Sequence, residues 1–334
     1  MAIPEHILLI RLKSLGDVAF TLPAVNAVRD NFPSAKITFL TSKENAPLLC
    51  GFREVNEVIS LDRTALRCGN PFRIVPEFLG LLRRLRTGKF SLVVDFQGYG
   101  ETAWLTWLTG APKRWGSVYG KGRAWAYTLG VRREPSQHHA DRNLAILRAG
   151  GLTISTPRNV FSLPATALAA AEEFFRKNNL DLARRTLFIQ PFTSVPHKNW
   201  LLENYLAVAQ HWHAQGGQVI FGGGPNDRAR LEPVLAGRFI TSAGVPLLVT
   251  GGLMQYSILV LGGDTGVLHL AVALGRRVVM IMASMTRGNS FPFQHPAWAI
   301  TLSNREGLKG GETSDVIEAC ARACSEQTHL SDAC

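Results

Sequence analysis

Along this chain, apolar runs of four or five residues alternate with stretches in which apolar residues return every three or four positions. The first pattern marks buried strands and the second marks one-faced helices. The alternation is clearest between Ile258 and Met282. Ile258–Leu261 is a strand-length run, and Gly262–Gly266 is a glycine-rich loop. Val267, Leu268, Leu270, Ala271 and Leu274 follow at helical spacing, Gly275 closes the helix, and Val278–Met282 is a second buried strand. The spacing predicts a βαβ unit with parallel strands. Gly263 and Gly266 permit close backbone approach, Asp264 or Thr265 can cap the helix, and the helix start favours an anion. A capped turn without a ligand is the plainer reading of the same residues.

The alternation runs through the whole chain. Ile7–Ile10 reads as a first strand, and the apolar spacing after Asp17 predicts a helix that starts near Gly16 and kinks or restarts near Pro23. Ile37–Leu40, Val55–Ile59 and Ser91–Gln97 read as strands. Phe72–Arg86 reads as a basic amphipathic helix, packed on a sheet with a solvated basic face or else lying on a membrane surface. The helix that carries Trp104, Leu105, Trp107 and Leu108 reads as core. His138–Asn143 opens another helix, and Gly150–Pro164 reads as a linker. A second series follows, with strands at Thr186–Gln190 and Gln218–Phe221. The pattern predicts an α/β chain of two doubly wound units in tandem, residues 1–160 and 161–311, with a helix in 312–334.

Composition narrows the class. The 334 residues are 46% hydrophobic and 18% charged, which fits a globular protein. No apolar run reaches the ~18 residues of a membrane span, and Ile7–Ile10 is too short for a signal peptide. Five cysteines without an export signal predict reduced thiols in a cytosolic protein. Cys320 and Cys324 lack partners for a zinc set, and neighbouring His138 and His139 diverge on a helix, so no metal site is expected. The net charge of +11 is uneven: residues 1–160 hold 22 Lys and Arg against 12 Asp and Glu, residues 161–334 hold 14 against 13. The basic half points to an anionic partner.

Candidate chemistry sits at strand ends. Asp17, at a strand-to-helix junction, reads as a helix cap or as an acid/base group at the mouth of a cleft. The basic and aromatic segment Lys113–Arg133 suits single-stranded nucleic acid or a charged glycan. Gly98-Tyr99-Gly100-Glu101-Thr102-Ala103 matches a loose dinucleotide pattern but lacks an acidic residue ~20 positions on. The NAD-dependent oxidoreductase and the basic nucleic-acid-binding protein are the alternatives these features leave.

Three motifs taken together are more specific: Arg11-Leu12-Lys13-Ser14-Leu15-Gly16-Asp17, Lys198-Asn199-Trp200 after the fifth or sixth strand, and Gly263-Asp264-Thr265-Gly266-Val267-Leu268-His269. With them the chain resembles the ADP-heptose:lipopolysaccharide heptosyltransferases, glycosyltransferase family 9, from about residue 7 to about residue 305. The resemblance implies a GT-B fold, two Rossmann-like domains facing across a cleft, with the C-terminal helix crossing back to the first. It implies metal-independent inverting transfer of a heptose or related sugar from an ADP-sugar, a substrate rather than a cofactor, to a lipopolysaccharide inner-core or Kdo–lipid A acceptor. The enzyme would be cytoplasmic and peripheral on the inner membrane.

Residue by residue, the resemblance makes Asp17 the base and gives Lys198 the donor phosphate. Thr193, Ser194, Asp264, Thr265, Gly266 and His269 are expected to bind the donor. Arg11 corresponds to the family's basic residue after the first strand, and Lys13, Arg114 and Arg123 join it as expected acceptor contacts. One departure stands after Gly222–Gly224, where Pro225, Asn226 and Asp227 replace the Glu that the family often uses on the nucleotide. No two aspartates are spaced i, i+2, so the Asp-x-Asp metal clamp is absent.

Overall fold

The computed structural model describes residues 4–63, 71–119, 121–283, 289–302 and 313–331. The chain divides into two units, residues 1–161 and 162–334. In the first, six parallel strands are β1 (His6–Ile10), β2 (Lys36–Ser42), β3 (Glu57–Leu61), β4 (Leu92–Asp95), β5 (Lys113–Val118) and β6 (Leu129–Arg132). In the second they are β7 (Thr186–Gln190), β8 (Gln218–Phe221), β9 (Ile240–Thr241), β10 (Leu259–Gly263), β11 (Val278–Met282) and β12 (Ala299–Thr301). The sheet orders are β3-β2-β1-β4-β5-β6 and β12-β11-β10-β7-β8-β9. Counted from its own first strand, each sheet has the same 3-2-1-4-5-6 order, the doubly wound nucleotide-binding topology.

The central strands are buried, with only His6 at the start of β1 partly exposed, and mostly apolar, because parallel sheets are covered on both faces. Leu8, Ile10, Leu40, Leu81, Leu85 and Val93 form a core of the first unit; Leu187, Ile189, Trp200, Tyr205, Val279 and Ile281 form that of the second. The helix Thr313–Ser331 packs Val316, Cys320, Ala323 and Cys324 into this second core. Burial pushes the Cys320 thiol up to about 12. Cys50 is exposed, and Cys68 and Cys334 lie outside the described residues.

Pro23 restarts a helix rather than kinking one. The helix Leu15–Ala19 ends, and Leu22–Asn31 begins with Pro23 in its first turn, where a missing N–H costs nothing. The linker is tied to the first unit: Asn26 and Asn31 donate to the Arg158 and Thr153 carbonyls, and Phe161 packs edge-on against Phe52.

Two expectations are corrected. Lys198-Asn199-Trp200 follows the seventh strand, because the basic segment hides β5 and β6, whose Arg, Lys, Gly and Ser residues break up any apolar run. Trp104 and Trp107 are not core: the helix Gly100–Leu108 buries Ala103 and Leu105 and turns both indoles outward, 54% and 45% exposed.

The loop after β4 depends on one glycine. Gly98 has φ +67°, and a Cβ there would run into the Ser117 carbonyl at the end of β5. Gly110 has nearly the same φ, +69°, but open space around it. Gly98→Ala should therefore cost about 3 kcal/mol or more, and Gly110→Ala about 1 kcal/mol, in urea unfolding.

Candidate functional site

Each sheet reverses its strand order between its first and fourth strands, so the loops leaving those two strands diverge and open a crevice at the carboxyl edge. In the first unit these are the loops after β1 and β4, whose last residues, Ile10 and Asp95, are register partners. Asp95 is buried. It accepts the Gln97 and Gly98 N–H groups and the Tyr127 hydroxyl, and so shapes the β4 loop. The Gln97 side chain then accepts from the Leu12 and Lys13 N–H groups, fastening the β1 loop to it.

Arg11, itself buried, spans both loops. Its Nη1 donates to the Phe96 carbonyl at 2.7 Å, its Nε to the Lys13 carbonyl at 3.0 Å, and its Nη2 meets Asp17 Oδ2 at 2.8 Å. The same Oδ2 accepts the Ser14 N–H at 3.1 Å, so Asp17 does brace the start of its helix. Its other oxygen, Oδ1, faces His139 Nδ1 at 3.5 Å. Burial pushes the Asp17 carboxyl up, but the Arg11 charge and the bonds to Oδ2 outweigh it and hold the group below the usual carboxylate range. Asp17 is thus an anion at neutral pH, with Oδ2 held by Arg11 and Ser14 and Oδ1 beside His139.

The expected acceptor residues separate. Lys13 is exposed, with Nζ 5.5 Å from the centre of the Tyr99 ring, and Arg123 donates to the Gly98 carbonyl, so both stand at this sheet edge. Arg114 does not join them. Its guanidinium donates to the Ala111 and Ala126 carbonyls and ties down the segment between β5 and β6.

In the second unit the crevice lies between the loops after β7 and β10. Gly263 brings them together, since a Cβ there would press the Thr193 methyl at 2.8 Å and the Lys198 carbonyl at 3.3 Å. Lys198 Nζ donates to Asp264 Oδ2 at 2.7 Å, and His269 Nε2 donates to Oδ1 at 3.1 Å. Ser290 adds a third donor, its Oγ at 2.8 Å from Oδ2. Its place after β11 at the same carboxyl edge is the one signal that sequence carries for it. Asp264 is 11% exposed and Lys198 is 37% exposed. The carboxylate is spent on holding its partners, while the ammonium keeps further N–H donors toward solvent.

The expected cap is absent. Asp264 is turned to Lys198, and Thr265 occupies the N-cap position without a side-chain bond, so the first N–H groups of the helix Gly266–Ala273 are left to a ligand or to water. Thr193 is used within its loop, its N–H on Asn199 and its Oγ on the Val195 carbonyl, whereas Ser194 is exposed. Asp227 accepts the Gly224 N–H and shapes its own turn. Among the described residues, no cluster of three or more His, Cys, Asp or Glu is placed to hold a metal, and no helix is long and apolar enough to cross a membrane.

Residues 78–316, well over half of the chain, match the model of glycosyltransferase family 9 (heptosyltransferase). The chain belongs to glycosyltransferase family 9. As a family 9 member it is a transferase, which leaves the dehydrogenase and nucleic-acid readings without support. The match takes in Lys198 and Asp264 but begins after Asp17. The chain is 24% identical to the lipopolysaccharide core heptosyltransferase OpsX of Haemophilus influenzae over 291 residues, 84% of this chain and 79% of that protein. The family 9 glycosyltransferase structure from Veillonella parvula superposes with a TM-score of 0.86 at 21% identity, covering 98% of this chain and 99% of that one. The Escherichia coli heptosyltransferase WaaC, solved with ADP, superposes at 0.77 and 18% identity, covering 95% and 99%. These likenesses establish the two-domain GT-B fold of the family.

His269 and Lys198 outweigh burial and hold the Asp264 carboxyl well below the usual range. Its folded pKa lies below the unfolded one, so its stabilisation is present above the ordinary value of ~3.9 and is lost as pH falls toward the folded value. Asp264→Ala should cost about 3 kcal/mol at neutral pH and reduce the acid-side loss of stability, both measured by urea unfolding across pH.

Proposed function

We propose that this chain transfers a heptose, or a closely related sugar, from an ADP-sugar to a hydroxyl of a lipopolysaccharide inner-core or Kdo–lipid A acceptor. The enzyme acts in the cytoplasm, peripherally at the inner membrane. The observation that carries the reading is one prepared charge in each unit: an ionised Asp17 whose Oδ2 is held by Arg11 while Oδ1 stands beside His139, and a Lys198 ammonium held by Asp264 beside an uncapped helix start. Heptose transfer is the activity named for OpsX, and ADP is the ligand named for WaaC.

In the proposed reaction Asp17 Oδ1 takes the proton of the acceptor hydroxyl as that oxygen bonds to the anomeric carbon. The bond from that carbon to the ADP phosphate oxygen breaks on the opposite face, which inverts the centre. The charge that gathers on the leaving diphosphate meets Lys198 and the N–H groups at Gly266. Thr265 and Ser194 line the donor loops, and His269 keeps Asp264 in place. With no Asp-x-Asp pair in the sequence, lysine and helix dipole neutralise the diphosphate in this mechanism, and no cofactor takes part. Lys13 and Arg123 supply the cations for a phosphorylated acceptor, and buried Arg11 acts through Asp17.

Asp17→Asn should lower kcat by about 10²–10⁴ while leaving ADP-induced stabilisation unchanged. Turnover close to wild type would remove Asp17 from the base role. Because Arg11 holds the Asp17 carboxyl low, Arg11→Gln should move the acid limb of kcat/KM to higher pH. Lys198→Ala should weaken ADP-sugar binding by roughly 1.5–3 kcal/mol in calorimetry. Transfer should persist in EDTA; a loss that Mg²⁺ restores would overturn the lysine-and-dipole account.

A further inference from the structure

The helices Pro71–Thr87 and Gly100–Leu108 and the turn Lys121–Ala126, which come after β3, β4 and β5 in the chain, form one layer. Their crossovers run in the same direction along the sheet, and right-handed connections of one direction fall on one face. The helix Pro71–Thr87 accordingly packs beside Gly100–Leu108, which packs beside the turn Lys121–Ala126. Inward, this layer buries Leu81, Leu85, Ala103 and Leu105. Outward it is again apolar: Val75, Phe78 and Leu79 are exposed, and so are Trp104, Trp107 and Trp125, the last at 46%. The three indoles contact one another edge to face, with centroids 4.6 Å apart for Trp104 and Trp125 and 5.7 Å apart for Trp104 and Trp107. A helix that only covers a sheet has no need of a second apolar face, and a cluster of this size marks a contact surface.

Charge identifies what it contacts. Residues 71–126 hold nine Lys and Arg against three Asp and Glu, of which Asp95 is buried and Glu101 is paired with Arg63. Arg83 and Arg86 are exposed on the same helix as Val75 and Leu79. A second copy of the chain, docked through a two-fold axis, would bring these cations against themselves. Indoles flanked by arginines suit the boundary between acyl chains and anionic headgroups instead.

We propose that this layer is a membrane-docking face. Trp104, Trp107 and Trp125 enter the headgroup boundary of an anionic phospholipid bilayer beside Val75, Phe78 and Leu79, and Arg83 and Arg86 meet lipid phosphates. The face rests on the reading of a lipid-borne acceptor and gives it a position, because Tyr99, against which Lys13 lies, is the N-cap of the helix that carries Trp104 and Trp107. Docking brings the carboxyl edge of the first sheet to the lipid surface.

The test uses the full chain and vesicles of phosphatidylethanolamine and phosphatidylglycerol that contain no acceptor. The protein should sediment with them and not with phosphatidylcholine vesicles, and its tryptophan emission should be quenched by brominated acyl chains. The triple variant Trp104→Ser, Trp107→Ser, Trp125→Ser should bind about tenfold more weakly or worse, with unchanged circular dichroism. Trp125→Ser alone should give a smaller loss of the same sign. Arg83→Glu with Arg86→Glu should weaken binding most at low salt. A folded triple variant that binds like the wild type, a wild-type protein that ignores anionic vesicles, or a dimer abolished by the triple variant would each overturn the proposal. Transfer to a delipidated acceptor in solution reads the enzyme activity alone, and the triple variant should retain it.

Discussion

The constraint on which this molecule depends is the reversal of strand order in each parallel sheet. A strand with parallel neighbours on both sides can send its crossovers only over one face or the other, and where the direction changes two adjacent loops must part. That parting occurs between β1 and β4 and again between β7 and β10. The Arg11–Asp17 and Lys198–Asp264 clusters stand at these two places. The buried Asp95 and the close approach at Gly263 serve to fix how those loops sit.

The two sites use the same pair of charges in opposite ways. In the first unit the cation is the more buried partner: Arg11 places its donors on Phe96, Lys13 and Asp17, and the carboxylate is the more exposed of the two. In the second the anion is the more buried partner: Asp264 holds Lys198, His269 and Ser290, and the ammonium is the more exposed. In each case the more buried partner holds the more exposed one in place. A duplicated topology thereby presents a partly exposed carboxylate at one sheet edge and a partly exposed ammonium at the other.

Much of this was legible in the sequence, for definable reasons. Val278–Met282 and Ile7–Ile10 read as strands because buried parallel strands are continuous apolar runs, and Asp17, Lys198 and Asp264 stood out because they lie in the three motifs that carry the family resemblance. Strands β5 and β6 did not, since their residues are basic, small or interrupted. Trp104 and Trp107 misled because an indole on a helix suggests core, and periodicity records that a face is apolar but not what covers it. The pairing of Asp264 with Lys198, 66 residues away, and with Ser290 is a matter of tertiary approach, so capping rules applied to neighbours assigned it wrongly. Arg114 looked available because composition counts a charge without asking which carbonyls lie within reach.

The outermost strands carry a consequence for solution behaviour. The second sheet ends in β9, two residues long, and in β12, three residues long. The first ends in β6, four residues long, and in β3, where Glu57 is paired with Lys36 and Arg84. Short or charged rims offer a neighbouring chain few vacant amide and carbonyl groups to pair with. Strand-by-strand growth into fibrils is therefore poorly templated from the native state. Aggregation of this protein must begin from a molecule that has already opened enough to uncover its long interior strands.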